Sequence, residues 1–280
     1  MILLNVKNLS VSIKEKYNEK ILIDDLSFTL RMGQCIGILG ESGSGKSLTC
    51  KAIMGLLDEN FIVNGNIIYK NKELLTEGKD KIRAMRGKEI TMVMQSPMTS
   101  FDPLYTIGYQ IKETLIEHTN LSRLELRIKA LEILESVHLK NTEEILSKYP
   151  HQLSGGMLQR IMIGLALALE TNILIADEPT TAIDSITQYE IVKEFKRIKE
   201  KNIVGMLFIS HDLGVISQIA DYIIVLNNGK IVSCGPKEEI MKNNDDVHTQ
   251  LLINKKKIVI DKYKKIIGDR NGGISNVVRS

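Results

Sequence analysis

One octapeptide constrains this 280-residue chain more than any other feature: Gly40-Glu41-Ser42-Gly43-Ser44-Gly45-Lys46-Ser47. It fits the pattern G-x-x-x-x-G-K-[ST] at every fixed position. Cys35 to Leu39, short and almost wholly apolar, leads into it and reads as a strand buried on both faces. A helix is expected to leave it, from about Lys46 to Leu57. Glycines let the backbone turn tightly and bring its N–H groups onto phosphate oxygens, and the helix N-terminus adds the positive end of its dipole. In such a cradle Lys46 reaches the β- and γ-phosphates, and the Ser47 hydroxyl joins a Mg2+ shell. Gly40 through Leu48 are therefore the expected residues of a nucleotide-phosphate cradle. A Gly/Ser linker matching by chance would lack both flanking elements.

Two further segments bear on the same chemistry. Ile173 to Ala176 reads as a buried strand and runs directly into Asp177-Glu178. That places two carboxylates at the C-terminal edge of a sheet, where ligands of open α/β folds sit. Asp177 is the natural outer partner of Mg2+, and Glu178 can orient an attacking water as general base. Alone, an Asp-Glu pair at a strand end is more often a solvated turn; the loop at Gly40 reverses that weighting. Leu153-Ser154-Gly155-Gly156-Met157 precedes a helix expected from about Ser154 to Leu169, and Ser-Gly-Gly at a helix start makes a second anion site.

Composition narrows the class. The chain is 43% hydrophobic with a net charge of +3, too apolar and too nearly neutral for disorder. Its 37 basic and 34 acidic residues nearly balance, so nucleic acid is not an expected partner. Cys35, Cys50 and Cys234 are odd in number and widely spaced, which fits a reducing cytosol better than a disulfide framework. The longest apolar stretch, Ile161 to Leu169, is half of what a spanning helix needs. The N-terminus MILLNVKNLS lacks a signal-peptide pattern. The expectation is a chain soluble by itself that attaches to a membrane only through a partner.

Periodicity divides the chain in three. The first ninety residues read mostly as strands, with Leu26, Phe28 and Leu30 alternating, and with Asn64 to Lys70 and Ile90 to Met94 as further candidates. From about Ile107 to Leu146 the pattern is helical, with Ile111, Leu115, Leu121, Leu124, Ile128, Leu131 and Leu134 as its apolar positions. Pro97, Pro103 and Pro150 bracket this block, which reads as an insertion. Strand and helix then alternate: Ser185 to Lys199 helical, Val204 to Ile209 extended, and Asp221 to Leu226 with Lys230 to Cys234 as a hairpin about Asn227-Asn228-Gly229. Strand–helix–strand order implies parallel pairing. The Lys-rich stretch from Lys255 loses periodicity and is expected to fray.

With these segments in hand the chain resembles the ABC-transporter ATPases over nearly its whole length, Leu3 to about Leu252. Their LSGGQ signature reads LSGGM here. The resemblance implies an α/β fold: a P-loop NTPase core of the ABC ATPase type, RecA-like, whose mixed sheet has an antiparallel part, with an inserted α-helical subdomain. It implies a nucleotide-binding domain over 1–250, with core 1–95 and 157–250, a helical subdomain over about 96–156, and a short tail over 251–280. It also implies roles. Gln95 touches Mg2+ and the attacking water, His211 senses the γ-phosphate, and Asp184 belongs to a dimer-contact loop. Ser154, Gly155, Gly156 and Met157 bind the ATP held by an opposite subunit. Tyr17 is the nearby candidate for stacking on adenine, since Ile13 stands at the more usual position.

Implied partners are a second ATPase subunit, identical or different, two transmembrane permease subunits and an extracellular substrate-binding protein. The implied place is the cytoplasmic face of the cell membrane. Permeases of this family set a short helix into a groove that the segment Gln95 to Pro103 should line. Met94 to Pro103, Leu153 to Arg160 and Asp177 to Asp184 look like the peptide- and nickel-import branch. Longer peptide-type members continue into a cysteine-containing extension; here no cysteine follows Cys234, and 247–252 resembles only its start. That ranks nickel or metal–metallophore import first and di- or oligopeptide import second. A soluble ABC ATPase of DNA repair or translation would carry a long coiled coil or two cassettes. A non-hydrolysing binding module would not need Glu178 and His211.

Overall fold

The computed structural model describes residues 1–15, 18–181, 183–202, 204–242 and 246–253. Tyr17 and the expected fraying from Lys255 therefore lie outside the described residues. Alternating apolar positions build the first sheet. β1 (Ile2–Lys14) and β2 (Glu19–Arg31) pair antiparallel, with Leu26, Phe28 and Leu30 turned inward. After β3 (Cys35–Leu39) and α1 (Lys46–Ile53), the sheet is completed by β4 (Phe61–Tyr69) and β5 (Lys72–Glu73), in the order β2-β1-β4-β5. The helix after the phosphate loop is four residues shorter than expected, because Gly55 turns the chain into the left-handed region at φ 61°. β4 begins at Phe61 rather than Asn64, since its first residues pair with the end of β1.

α2 (Lys79–Met85) and β6 (Ile90–Val93) follow, then the helical block: α3 (Ile107–His118), α4 (Arg123–Ser136) and α5 (Thr142–Ser147). Ile111, Leu115 and Leu134 are fully buried as expected, but Leu124 is 69% and Ile128 49% exposed. The inward face of α4 is instead Leu126, Ala130, Ile133 and Leu134. The apolar phase read through 107–146 does not run on, because Ser122 and Glu125 form a capping box that starts α4 afresh. α4 then carries apolar residues on two faces, and packing selects one.

The second sheet takes in α6 (Gly155–Ala168), β7 (Ile173–Asp177), α7 (Ser185–Asn202), β8 (Gly205–Ile209), α8 (Leu213–Ile219), β9 (Tyr222–Asn227) and β10 (Lys230–Pro236), with α9 (Lys237–Lys242) beyond. Its order is β10-β9-β3-β8-β7-β6. All its neighbours pair parallel except β9 with β10, the expected hairpin, whose Asn228 and Gly229 both have positive φ. The central strands are buried on both sides. Cys35, Met206 and Phe208 face the helical core, while Ile36, Ile38, Leu207 and Ile209 face α1 and the antiparallel sheet.

Gly37 shows how close that packing is. A Cβ there would lie 2.7 Å from Ile216 Cγ2 and 2.9 Å from Ala220 Cβ, so α8 rests directly on β3. Gly37→Ala is expected to destabilise the fold by about 1–3 kcal/mol, read as a lower urea midpoint.

Candidate nucleotide site

The sheet order explains how residues far apart in sequence meet. β3, β8, β7 and β6 are parallel neighbours, so their C-terminal ends lie side by side. From those ends emerge the phosphate loop, His211, Asp177-Glu178 and Gln95 respectively. Burying four β strands therefore sets four chemical groups along one edge.

Asp177, the last residue of β7, is 2% exposed and accepts a hydrogen bond from Ser47 Oγ at 2.8 Å. Burial pushes its carboxyl above the ordinary 3.8, opposed by the Ser47 bond, with the charge of Glu178 adding to the rise. Unfolded chain gives up that proton at lower pH, so above about 3.8 the ionised carboxylate costs folding free energy. Asp177→Asn is accordingly expected to hold or raise Tm at pH 7, with the difference closing as pH falls below the ordinary carboxylate value. A calorimetric melt of both proteins at the two pH values checks this.

Glu178 leaves the strand by adopting φ 46°, while its N–H donates to Ile209 O at 3.0 Å. Its Oε2 gathers three partners: Gln95 Nε2 at 3.4 Å, Thr181 Oγ1 at 3.1 Å and His211 Nδ1 at 3.2 Å. Thr181 was not expected there. The signal available was its position three residues after Glu178, at the start of an element-connecting turn. Oε1 makes none of these bonds.

Lys46 is 5% exposed, and its ammonium donates to the carbonyls of Gly40 at 3.0 Å and Glu41 at 2.7 Å. Burial lowers its pKa, opposed by the charges of Glu178 and then Asp177. The loop itself needs its glycines. Gly43 and Gly45 have φ of 80° and 102°, and a Cβ on Gly40 would meet Leu226 O at 2.4 Å. Ser42, Gly43, Gly45, Lys46, Ser47, Leu48, Gln95 and Glu178 line a cavity of about 260 Å3, together with Leu22 of β2, which the sequence did not mark. A larger cavity of about 580 Å3 along α3 holds no residue of this cluster.

The cluster suits phosphate and a hard cation. Ser44 Oγ, inside the loop, is buried with no hydrogen-bond partner among the described residues. Ser47 and Asp177 offer oxygen donors, which Mg2+ prefers, and it commonly takes one or two carboxylates plus substrate phosphates. Among the described residues no group of three or more His, Cys, Asp or Glu is arranged for a metal, and such a site requires none.

The remaining expected residues lie apart from this cavity. Ser154 caps α6, its Oγ accepting from Met157 N–H at 3.3 Å, and a Cβ on Gly155 would meet nothing within 4 Å. Met157 packs partly against the helical core, and Gly156 is half-buried. Asp184 accepts from the N–H of Thr187 at 3.0 Å and of Ile186 at 3.2 Å, bonds that hold its carboxyl below the ordinary range, Thr187 foremost. No helix among the described residues is long and apolar enough to cross a membrane.

Comparison with known proteins places the chain in a family. The ABC transporter family matches residues 23–181. The metal-staphylopine import system ATP-binding protein CntD of Staphylococcus aureus (strain NCTC 8325 / PS 47) is 43% identical over 267 residues, 95% of this chain and 98% of that protein. The dipeptide transport ATP-binding protein DppD of Bacillus subtilis (strain 168) is 40% identical over 252 residues, covering 89% and 75%. Among solved structures, the dimeric post-hydrolysis state of the ATP-binding cassette MJ0796 bound to ADP and Pi superposes with a TM-score of 0.77 at 27% identity. That match covers 84% of this chain and 99% of the cassette. The family match, the relatives aligned along almost the full length and the shared fold together show that the chain belongs to the ABC transporter family as one of its ATP-hydrolysing transport subunits.

Proposed function

We propose that this chain is the ATP-driven motor of an importer for nickel or a metal–metallophore complex. The carboxylate hub on Glu178 carries the catalytic part of this reading. Glu178 takes a proton from water, the water oxygen bonds to the γ-phosphorus, and the bond to the β-phosphate oxygen breaks to leave ADP and phosphate. Gln95, Thr181 and His211 on Oε2 hold the carboxylate still. Lys46 and the loop N–H groups bind the β- and γ-phosphates, and His211 contacts the γ-phosphate. Ser47, Asp177 and Gln95 would hold Mg2+, which supplies neutralisation of phosphate charge when bound.

In the same reading, ATP lies between Lys46 of one subunit and Ser154 to Met157 of a second ATPase, with Asp184 at the contact. That arrangement accounts for signature residues that stand apart from the cavity of their own chain. Tyr17 is proposed to stack on adenine. The core comprises 1–95 and 157–250, the helical subdomain about 96–156, and 251–280 a short tail. Two permease subunits and an extracellular binding protein complete the importer, with this chain at the cytoplasmic face of the membrane.

The metal cargo is supported by 43% identity to a metal-staphylopine import protein across nearly the whole chain. Di- or oligopeptide import is the second reading, supported by the dipeptide relative at 40%. A strain lacking the chain tests them through uptake of labelled nickel, with and without a metallophore, and of a labelled dipeptide. Lost metal uptake with intact dipeptide uptake is expected. The converse favours the second reading, and no change in either contradicts an import role.

A further inference from the structure

We infer that Gly229 is a positioning residue for the phosphate loop, an inference that rests on that loop binding ATP. Gly229 closes the turn between β9 and β10, far along the chain from the loop it touches. Its N–H donates to the Ser44 carbonyl at 3.1 Å, and its own carbonyl accepts from the Asp24 N–H at 2.9 Å. One residue thereby ties the loop to β2.

The contact excludes any side chain. A Cβ on Gly229, at φ 76°, would fall 2.2 Å from Leu22 O and 3.2 Å from Ile23 Cα, both backbone atoms of β2. From the other side, a Cβ on Gly45 would lie 3.6 Å from Gly229 Cα and 3.6 Å from Leu22 O. The same hairpin also backs the start of the loop, because Leu226 O occupies the space where a Gly40 Cβ would go. Outside the turn, Lys230 pairs with Asp24 at 2.9 Å.

The consequence follows from peptide geometry. In a trans peptide the carbonyl and the next N–H point in opposite directions. The Ser44 carbonyl is held toward Gly229, so the N–H of Gly45 in the same unit points away from the turn. Gly45 lines the cavity. Holding that one carbonyl thus keeps the Gly45 donor facing the phosphates. Glycines on either side of Ser44 would otherwise allow the unit to flip and present a carbonyl to an anion. The turn preorganises the loop, and preorganised donors bind without the cost of reordering.

An ordinary turn glycine would serve the hairpin alone, and amide hydrogen exchange on the full chain separates the two roles. With ATP and Mg2+, segments 40–48 and 225–231 are expected to gain protection together, while the segment around Gly65 does not. Protection at 40–48 without any at 225–231 overturns the inference and leaves ATP binding intact. Protection at neither contradicts ATP binding itself. Two variants add an affinity readout. Gly229→Ala is expected to weaken ATP binding about tenfold, the loss of roughly one well-made hydrogen bond. Gly65→Ala forces a comparable backbone clash, 2.4 Å from Asn8 O, in the antiparallel sheet and should keep ATP affinity within about twofold. Equal weakening in both overturns the inference, and if Gly229→Ala does not fold, the exchange result decides.

Discussion

Replacing Glu178 with glutamine is expected to lower ATP turnover by about 10²–10⁴-fold, the usual worth of a positioned general base. The amide keeps the shape of the carboxylate but cannot take a proton from water. It can still accept from Thr181 and Gln95 through its oxygen, so the hub survives in outline. Glu178 does not hold the phosphate loop in place, and ATP affinity should stay within a few-fold of the parent. Turnover by the assembled complex, measured beside equilibrium ATP binding, checks both halves. A variant that hydrolyses ATP like the parent would remove Glu178 from the base role. A variant that loses ATP altogether would place Glu178 in binding instead.

Lys46→Met is expected to act on the other half, raising the ATP dissociation constant by about 100-fold or more. Charged hydrogen bonds are each worth about 1.5–3 kcal/mol, and Lys46 supplies an ammonium enclosed by the loop. That ammonium is buried enough for its pKa to fall, so an anion brought against it interacts strongly. Methionine fills the volume without the charge. The Gly40 and Glu41 carbonyls lose a donor, and Asp177 and Glu178 lose a neighbouring cation. The loop is open to solvent at the cavity, so these losses should appear in binding more than in folding. Calorimetric titration with ATP checks this, and a dissociation constant within threefold of the parent's would contradict it.

Legibility in the sequence differs from residue to residue. Lys46, Ser47 and the loop glycines were legible because strand, loop and helix are contiguous, and their chemistry is local. Asp177 and Glu178 were legible as a strand end, and a 2.8 Å bond from Ser47 to Asp177 brings the two motifs together. The convergence of Gln95 and His211 on Glu178 depends on the order β8-β7-β6, which no local pattern states. The buried face of α4 was misread for a related reason: Leu124 and Leu126 are equally apolar, and only the neighbouring helices choose between them. Gly229 was visible as a turn residue. Its grip on Ser44 arises from tertiary approach, as does the placing of Leu22 in the cavity wall.

In the proposed arrangement ATP joins this chain to a second ATPase through the Ser154 loop. Sedimentation of the Glu178→Gln chain, alone and with the second ATPase subunit, with and without ATP and Mg2+, reads this out. The expected result is a dimer that forms only with ATP. Adding Gly155→Asp is expected to abolish that dimer without lowering Tm. There is open space for the new side chain, and an acid in the first turn of α6 suits the helix dipole. Its carboxylate would repel the γ-phosphate of the facing subunit. A chain that stays monomeric with ATP both alone and with the second subunit, or a dimer indifferent to Gly155→Asp, would contradict that arrangement.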